Sequence, residues 1–188
     1  MKLHVEQTYQ IPGSADPVQT CEDVCVRDEQ AAIGAYALIG ASARVIRQET
    51  TGDQLQFDLS VHPSRASVPG VIGGLLGYDA LDYVQKTTYN FRTHSGVMET
   101  ILTHPTMRDK VTSKGSFNLR SQAPSAPRTV TWTLDAEVDA HVPFISGHIE
   151  RTIIKELHAR TAKVEAYNQN LINQAVAATE NTIEAEAA

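Results

Sequence analysis

TVTWTLDAEVDAHVPFISGHIERTII, residues 129–154, changes its hydrophobic period once, and that change decides the fold. Val130, Trp132, Leu134, Ala136, Val138, Ala140 and Val142 alternate with Thr, Asp, Glu and His, which predicts a strand with one face on a core and one in water. Beyond Pro143 the apolar positions Ile149, Ile153, Leu157, Val164, Leu171 and Ala175 recur at fours and sevens. That spacing predicts a helix of about 28 residues, roughly 42 Å long, with Arg151, Lys155, Glu156, Arg160 and Lys163 on its opposite face. Glu156 and Arg160 are spaced as an i, i+4 ion pair. Pro143 cannot donate to a sheet ladder, so pairing ends there, and Gly147 permits a tight entry or close packing of the first helical turn. Glu150 suits the positive end of the helix dipole and serves as a structural anchor. A last strand of about 14 residues spans roughly 46 Å, close to the helix length. A long sheet with one apolar face and a helix of matching length predict a sheet wrapped around the helix. A helix about 10 Å wide cannot fill a broad concave face, so a cavity is expected beside it.

Upstream, residues 3–11 alternate as a first strand, with Leu3, Val5, Gln7, Tyr9 and Ile11 on one face. Asp16, Pro17 and Gln19 then have the order of a helix cap, a first helical residue and a capping partner. A second short helix is expected from Asp28, carrying Ala31, Ala32, Ala35, Tyr36 and Ile39 and stopping at Gly40. From Ala43 to Val142 the pattern is β, with a hairpin turn at Thr51, Gly52 and Asp53, and with HSG, HPTMRD and QAPSAPR as further turns. The apolar stretch VPGVIGGLLGY, Val68 to Tyr78, reads either as a mobile lid or as a buried connector. Residues 1–175 form one domain on this reading, and 176–188 an acidic, small-residue tail expected to fray.

The chain has 188 residues, 41% of them hydrophobic and 20% charged, as in one globular domain with a full core. A net charge of −6 with scattered Lys and Arg gives no electrostatic footprint for nucleic acid. The start, MKLHVEQTYQ, lacks the apolar core of a secretion signal, so a cytoplasmic location is the expectation. The most apolar window is too short for a stable membrane insertion, which needs about 20 residues. Cys21 and Cys25 are half of a zinc site at best and read as two small apolar residues on one helix face. The seven His residues show no metal-binding spacing, and no cofactor is expected. Oligomeric state is left open.

The candidate pocket walls on strands are Phe57, Leu59, Tyr83, Tyr89, Phe117, Trp132 and Leu134, and on the helix Ile149, Ile153 and Leu157. Each is also an ordinary core position, since apolar burial alone is sufficient motive. Glu99, flanked by Val97 and Ile101, is the acid whose alternation aims it inward, where it would orient a ligand or act as an acid or base.

The order of a strand, two short helices, about six antiparallel strands and a long C-terminal helix resembles the START-like helix-grip (SRPBCC) superfamily over residues 2–175. More narrowly, AYALIGASARV, VPGVIGGLLG and the element Val142, Pro143, Gly147, Ile149 and Glu150 resemble an uncharacterised bacterial START-like family. The resemblance implies an α+β fold, a curved antiparallel sheet of about seven strands around the helix, and a pocket for a hydrophobic small molecule such as a lipid, polyketide or isoprenoid. Enzymes of the cyclase or hydratase kind occur in the wider superfamily and form the alternative. An interaction surface on the last helix or the tail is a third reading.

Overall fold

The alternating segments pair into one curved antiparallel sheet in a computed structural model that describes residues 1–13, 16–66, 68, 70, 74, 77–121, 128–142 and 146–186, with side-chain placement to residue 179 apart from Glu156. The strands are β1 (Lys2–Gln10), β2 (Ser42–Thr51), β3 (Gln54–His62), β4 (Tyr83–Asn90), β5 (Ser95–Leu102), β6 (Val111–Ser121) and β7 (Thr129–Ala140). Their order across the sheet is β1-β7-β6-β5-β4-β3-β2, so five hairpins run from β2 to β7 and β1 closes the far edge. The β2–β3 turn is tight because Gly52 adopts φ 57° between the paired Thr51 and Gln54.

Between β1 and β2 lie α1 (Pro17–Glu22), a π-helical turn (Asp23–Arg27) and α2 (Glu29–Ala37). Both helices start on an aspartate cap. Asp16 accepts from the Gln19 amide at 3.0 Å, and Asp28 from those of Gln30 and Ala31 at 2.7 and 3.2 Å. The π-helical turn has no counterpart in the sequence expectation. It lets Cys21, Val24 and Cys25 all face the core. The two thiols are free, with sulfurs 3.9 Å apart.

The C-terminal helix, α3, runs from Ser146 to Glu186 over 41 residues, about 61 Å, well past the expected 28. Nothing after Gly147 in the sequence is Gly or Pro, and the Ala- and Glu-rich tail has high helix propensity, so the backbone continues helical where the apolar period stops. Pro143, the lid stretch apart from Val68, Gly70, Gly74, Gly77 and Tyr78, the QAPSAPR turn before Arg128 and the Glu156 side chain all lie outside the described residues, as do the tail side chains from residue 180.

The junction between β7 and α3 is made by hydrogen bonds. The Val142 amide donates to Ser146 Oγ at 2.8 Å and that hydroxyl donates to the Val142 carbonyl at 2.7 Å, which ties the first helical residue to the end of the strand. Glu150 lies beyond the first turn and accepts from the Ala140 amide at 3.1 Å, so it anchors helix to strand directly. Gly147 has open space where a Cβ would sit, so close packing at that glycine is not what joins the elements. Farther along, α3 covers the free edge of β1. Glu165 accepts from the Thr8 amide at 3.2 Å, and Gln169 both accepts from Gln10 N–H and donates to its carbonyl, each at 2.8 Å.

Candidate functional site

Strand register explains where the inner face is full and where it is hollow. One row across the sheet consists of Val5, Leu134, Phe117, Gly96, Tyr89 and Leu55. Gly96 is required there: a Cβ would lie 2.6 Å from Phe117 Cζ and 2.7 Å from the Thr88 carbonyl. Phe117 therefore stacks on Tyr89 with centroids 5.5 Å apart, and Tyr89 meets Phe91 edge-on at 5.2 Å. The next two rows keep bulk at their flanks, with Leu3 and Phe57 on one and Val138 and Leu59 on the other, but carry smaller residues across the middle of the sheet: Ala136, Gly115, Met98 and Thr87, then Ser113, Thr100 and Gln85. Bulk returns at the end of the strands with Val61, Tyr83 and Leu102.

Helix α3 repeats the same profile. Ile149 at one end and Asn168 and Ile172 toward the other are buried, whereas Ile153, Leu157, Arg160, Thr161 and Val164 between them are half-buried. The helix is seated at both ends and stands off the small-residue rows in its middle. Two hydrophobic clusters result. A larger one joins α1, α2 and the sheet, and a smaller one joins Val68, Ala80, Leu81, Leu102, Met107, Val111, Ala140, Val142 and Ile149.

Between the clusters lies a cavity of about 170 Å³, lined by Tyr83, Met98, Leu102, Trp132, Leu134, Ile153 and Leu157 with Gln85, Thr100, Ser113, Arg160 and Thr161. A second chamber of about 140 Å³ adjoins it and includes Leu55, Phe57, Leu59, Phe117 and Val164. Gln85, Met98, Trp132 and Arg160 line both and divide them. Arg160 places its guanidinium carbon 4.1 Å over the Tyr36 ring, and the Tyr36 hydroxyl donates to Gln85 Oε1 at 2.5 Å. Burial works to lower the Arg160 pKa, and Tyr36 and Tyr83, which become anionic only in the alkaline range, offset it there so that the net direction is up; at neutral pH the guanidinium is charged and both phenols are neutral. At the far wall Tyr9 donates to Gln7 Oε1 at 2.8 Å, Asn168 donates to the Tyr9 oxygen at 3.3 Å, and Gln7 donates to the Thr161 carbonyl at 2.7 Å.

Of the expected pocket walls, Tyr83, Leu134, Ile153 and Leu157 line the first chamber, Phe57, Leu59 and Phe117 the second, and Trp132 both. Ile149 and Tyr89 are elsewhere, each wholly buried in one of the clusters. The Tyr89 hydroxyl donates to buried Glu22 at 2.7 Å, and His94 Nδ1 lies 2.8 Å from the same carboxylate oxygen. Burial, then that hydrogen bond, push the Tyr89 phenol well above its ordinary pKa. Burial does the same to Tyr9.

Glu99 corrects the sequence reading. It points away from the helix and pairs with Lys114 at 3.2 Å on the outer face, with 44% of its side chain exposed. Its neighbour Val97 is 57% exposed, so the apolar flanks that aimed Glu99 inward are themselves outside. Met98 paired with Gly115, and Thr100 with Ser113, take the inner positions instead. Arg160 is the reverse case. The sequence expectation places it on the outer helix face, but a step of three from Leu157 and of four to Val164 puts it on the inward stripe. Tyr36 and Gln85 carry no sequence signal as site residues, because their roles arise where α2, β4 and α3 meet and local periodicity holds no trace of that.

The outer face holds an open groove of about 700 Å³ bordered by Lys2, Lys86, Lys114, Glu99, Asp135 and Glu137, whose mixed charges do not enclose an apolar ligand. Among the described residues there is no group of three potential metal ligands, and no helix is long and apolar enough to cross a membrane.

A curved antiparallel sheet with two short early helices and a long C-terminal helix defines a helix-grip protein, and solved structures share this architecture. The crystal structure of TTHA0849 from Thermus thermophilus matches with a TM-score of 0.58 at 9% identity, over 93% of this chain and 99% of that one. The solution structure of the 18 kDa protein CC1736 from Caulobacter crescentus gives 0.52 at 10% identity, over 93% and 97%. The crystal structure of Ara h 8.0201 gives 0.51 at 10%, over 90% and 98%. Such low identities show the fold alone. The chain belongs to the family described as Protein of unknown function (DUF2505), whose model matches residues 10–172. No curated protein matches it.

Proposed function

We propose that this protein binds a hydrophobic small molecule in the cavity between the middle of α3 and the small-residue rows of the sheet. The carrying observation is that helix and sheet are both seated at their ends and both recede between them, leaving apolar walls around about 170 Å³. An engineered apolar cavity of about 150 Å³ takes up benzene, so the first chamber is of a size for a small apolar body. A longer lipid, polyketide or isoprenoid tail needs both chambers, and rotation of Met98 or Trp132 would join them. The alternative, a cyclase or hydratase acting on a hydrophobic substrate, would gain from Glu99 reaching the pocket, and the outward placement of Glu99 withholds that support.

The site carries its own reporter. Trp132 is the sole tryptophan and borders both chambers. Toluene titrated into the wild-type protein is expected to shift Trp132 emission saturably and to raise Tm by mass action. Ser113→Phe, which sets a ring across the first chamber, is expected to weaken that response at least tenfold while retaining the wild-type circular dichroism. Native mass spectrometry of both proteins as purified would show any adduct only on the wild type. An absent toluene response, or an equal one in a folded Ser113→Phe, would sink the reading.

A further inference from the structure

The two chambers are lined mainly by apolar and neutral polar side chains, and at their division the chain places a cation. Neither chamber has an Asp or Glu in its described lining. Arg160 contacts the Tyr36 face and hydroxyl, and among the described residues no carboxylate lies within ion-pair distance of it. An aromatic face satisfies the guanidinium's charge in part, but not its five N–H donors. A partly desolvated cation without a counter-ion is costly, and an anion arriving with the ligand offsets that cost. The other cation in the described lining, Lys114, is committed to Glu99 on the outer face.

Resting on the reading of the cavity as a ligand site, we infer that its ligand is a small apolar monocarboxylic acid, held with its carboxylate against Arg160 and its apolar body in the chamber bounded by Trp132, Leu134, Ile153 and Leu157. One planar guanidinium matches one carboxylate in charge and in bidentate geometry, whereas a phosphate dianion brings a second negative charge that this single cation leaves unmatched. The Gln85 side chain, oriented by the Tyr36 hydroxyl, borders the same point and contributes a polar rim. The first chamber, slightly larger than a benzene-binding cavity, limits the body to about one ring or a short branched chain.

Phenylacetate and phenylacetamide are nearly isosteric and differ in charge, so calorimetric titration of the intact protein at pH 7 with each isolates the carboxylate. The acid is expected to bind at least tenfold more tightly than the amide. Arg160→Met should abolish that preference, bringing the acid-to-amide affinity ratio to about one, and Arg160→Lys should keep part of it. Should Arg160→Met lose its fold, the wild-type comparison and Arg160→Lys still decide the matter. Equal affinities for acid and amide, or binding of toluene without either, would overturn the carboxylate and leave the cavity reading intact. Binding of none of the three would overturn both. Glu156, four residues before Arg160, supplies the last control: a tenfold gain in phenylacetate affinity on Glu156→Gln means that the chain already neutralises Arg160, and the inference falls.

Discussion

Helix α3 meets the sheet in two different ways along one interface. At its ends the contact is filled. Ile149 sits in the smaller cluster, and Ile172 in the larger one, where Tyr89 and Phe117 also stack and Glu22 is held by a tyrosine and a histidine. In the middle, the same helix presents Ile153, Leu157 and Arg160 to Gly115, Ser113 and Thr100, and space remains. Both regions use the same elements, so the difference comes from side-chain volume in two rows of the sheet. The filled ends fix the helix height, and once that height is set the small rows cannot be reached.

The sharpest way to break this comparison is to truncate one residue from each region. Ile172→Ala, at a fully buried position, is expected to cost about 2–5 kcal/mol in urea unfolding, while Leu157→Ala, already facing a hollow, should cost less than about half as much. Comparable losses would mean that the middle is packed as tightly as the end. Overfilling sharpens the contrast. Gly96→Ala puts a methyl into Phe117 and the Thr88 carbonyl, and about 1–3 kcal/mol of destabilisation is expected, against a loss within about 1 kcal/mol for the cavity-filling Ser113→Phe.

The smallest effect per step is alkaline. Burial raises the Tyr9 and Tyr89 phenols in the folded chain above the unfolded value of about 10. The unfolded state therefore releases these protons first as pH rises. Stability from this source is fully present below about pH 10 and declines above it, by about 1.4 kcal/mol per pH unit for each tyrosine. In unfolding midpoints measured from about pH 9 to about pH 11.5, a window that brackets the unfolded phenol value, Tyr9→Phe and Tyr89→Phe should each flatten the decline. A slope unchanged by either substitution would contradict the burial of these hydroxyls.

Much of this was legible in the chain. The alternation from Val130 to Val142 and the fours and sevens from Ile149 specify a strand and a helix by period alone, and Asp16 and Asp28 mark the two short helices by their capping chemistry. Phe57, Leu59, Tyr83, Phe117, Trp132 and Leu134 border a chamber because strand alternation turns them to the concave face, and Ile153 and Leu157 because the helical period does the same for α3. Glu99 failed because Val97 and Ile101 are apolar residues on the outer face, and alternation reports two faces without saying which is inside.

The sequence by itself determined the elements, their order and the apolar face of each long one, because periodicity and caps are local properties of consecutive residues. Only the tertiary structure decided where space remains and what charge stands in it. Gly115 aligns with Ala136 and Met98, and Ser113 with Thr100, through the register of successive strands, which the turns between them set. Arg160 faces Tyr36 because α3 crosses α2 at that height. A cavity is a sum over side chains from several strands and a helix, so no single stretch of sequence contains it.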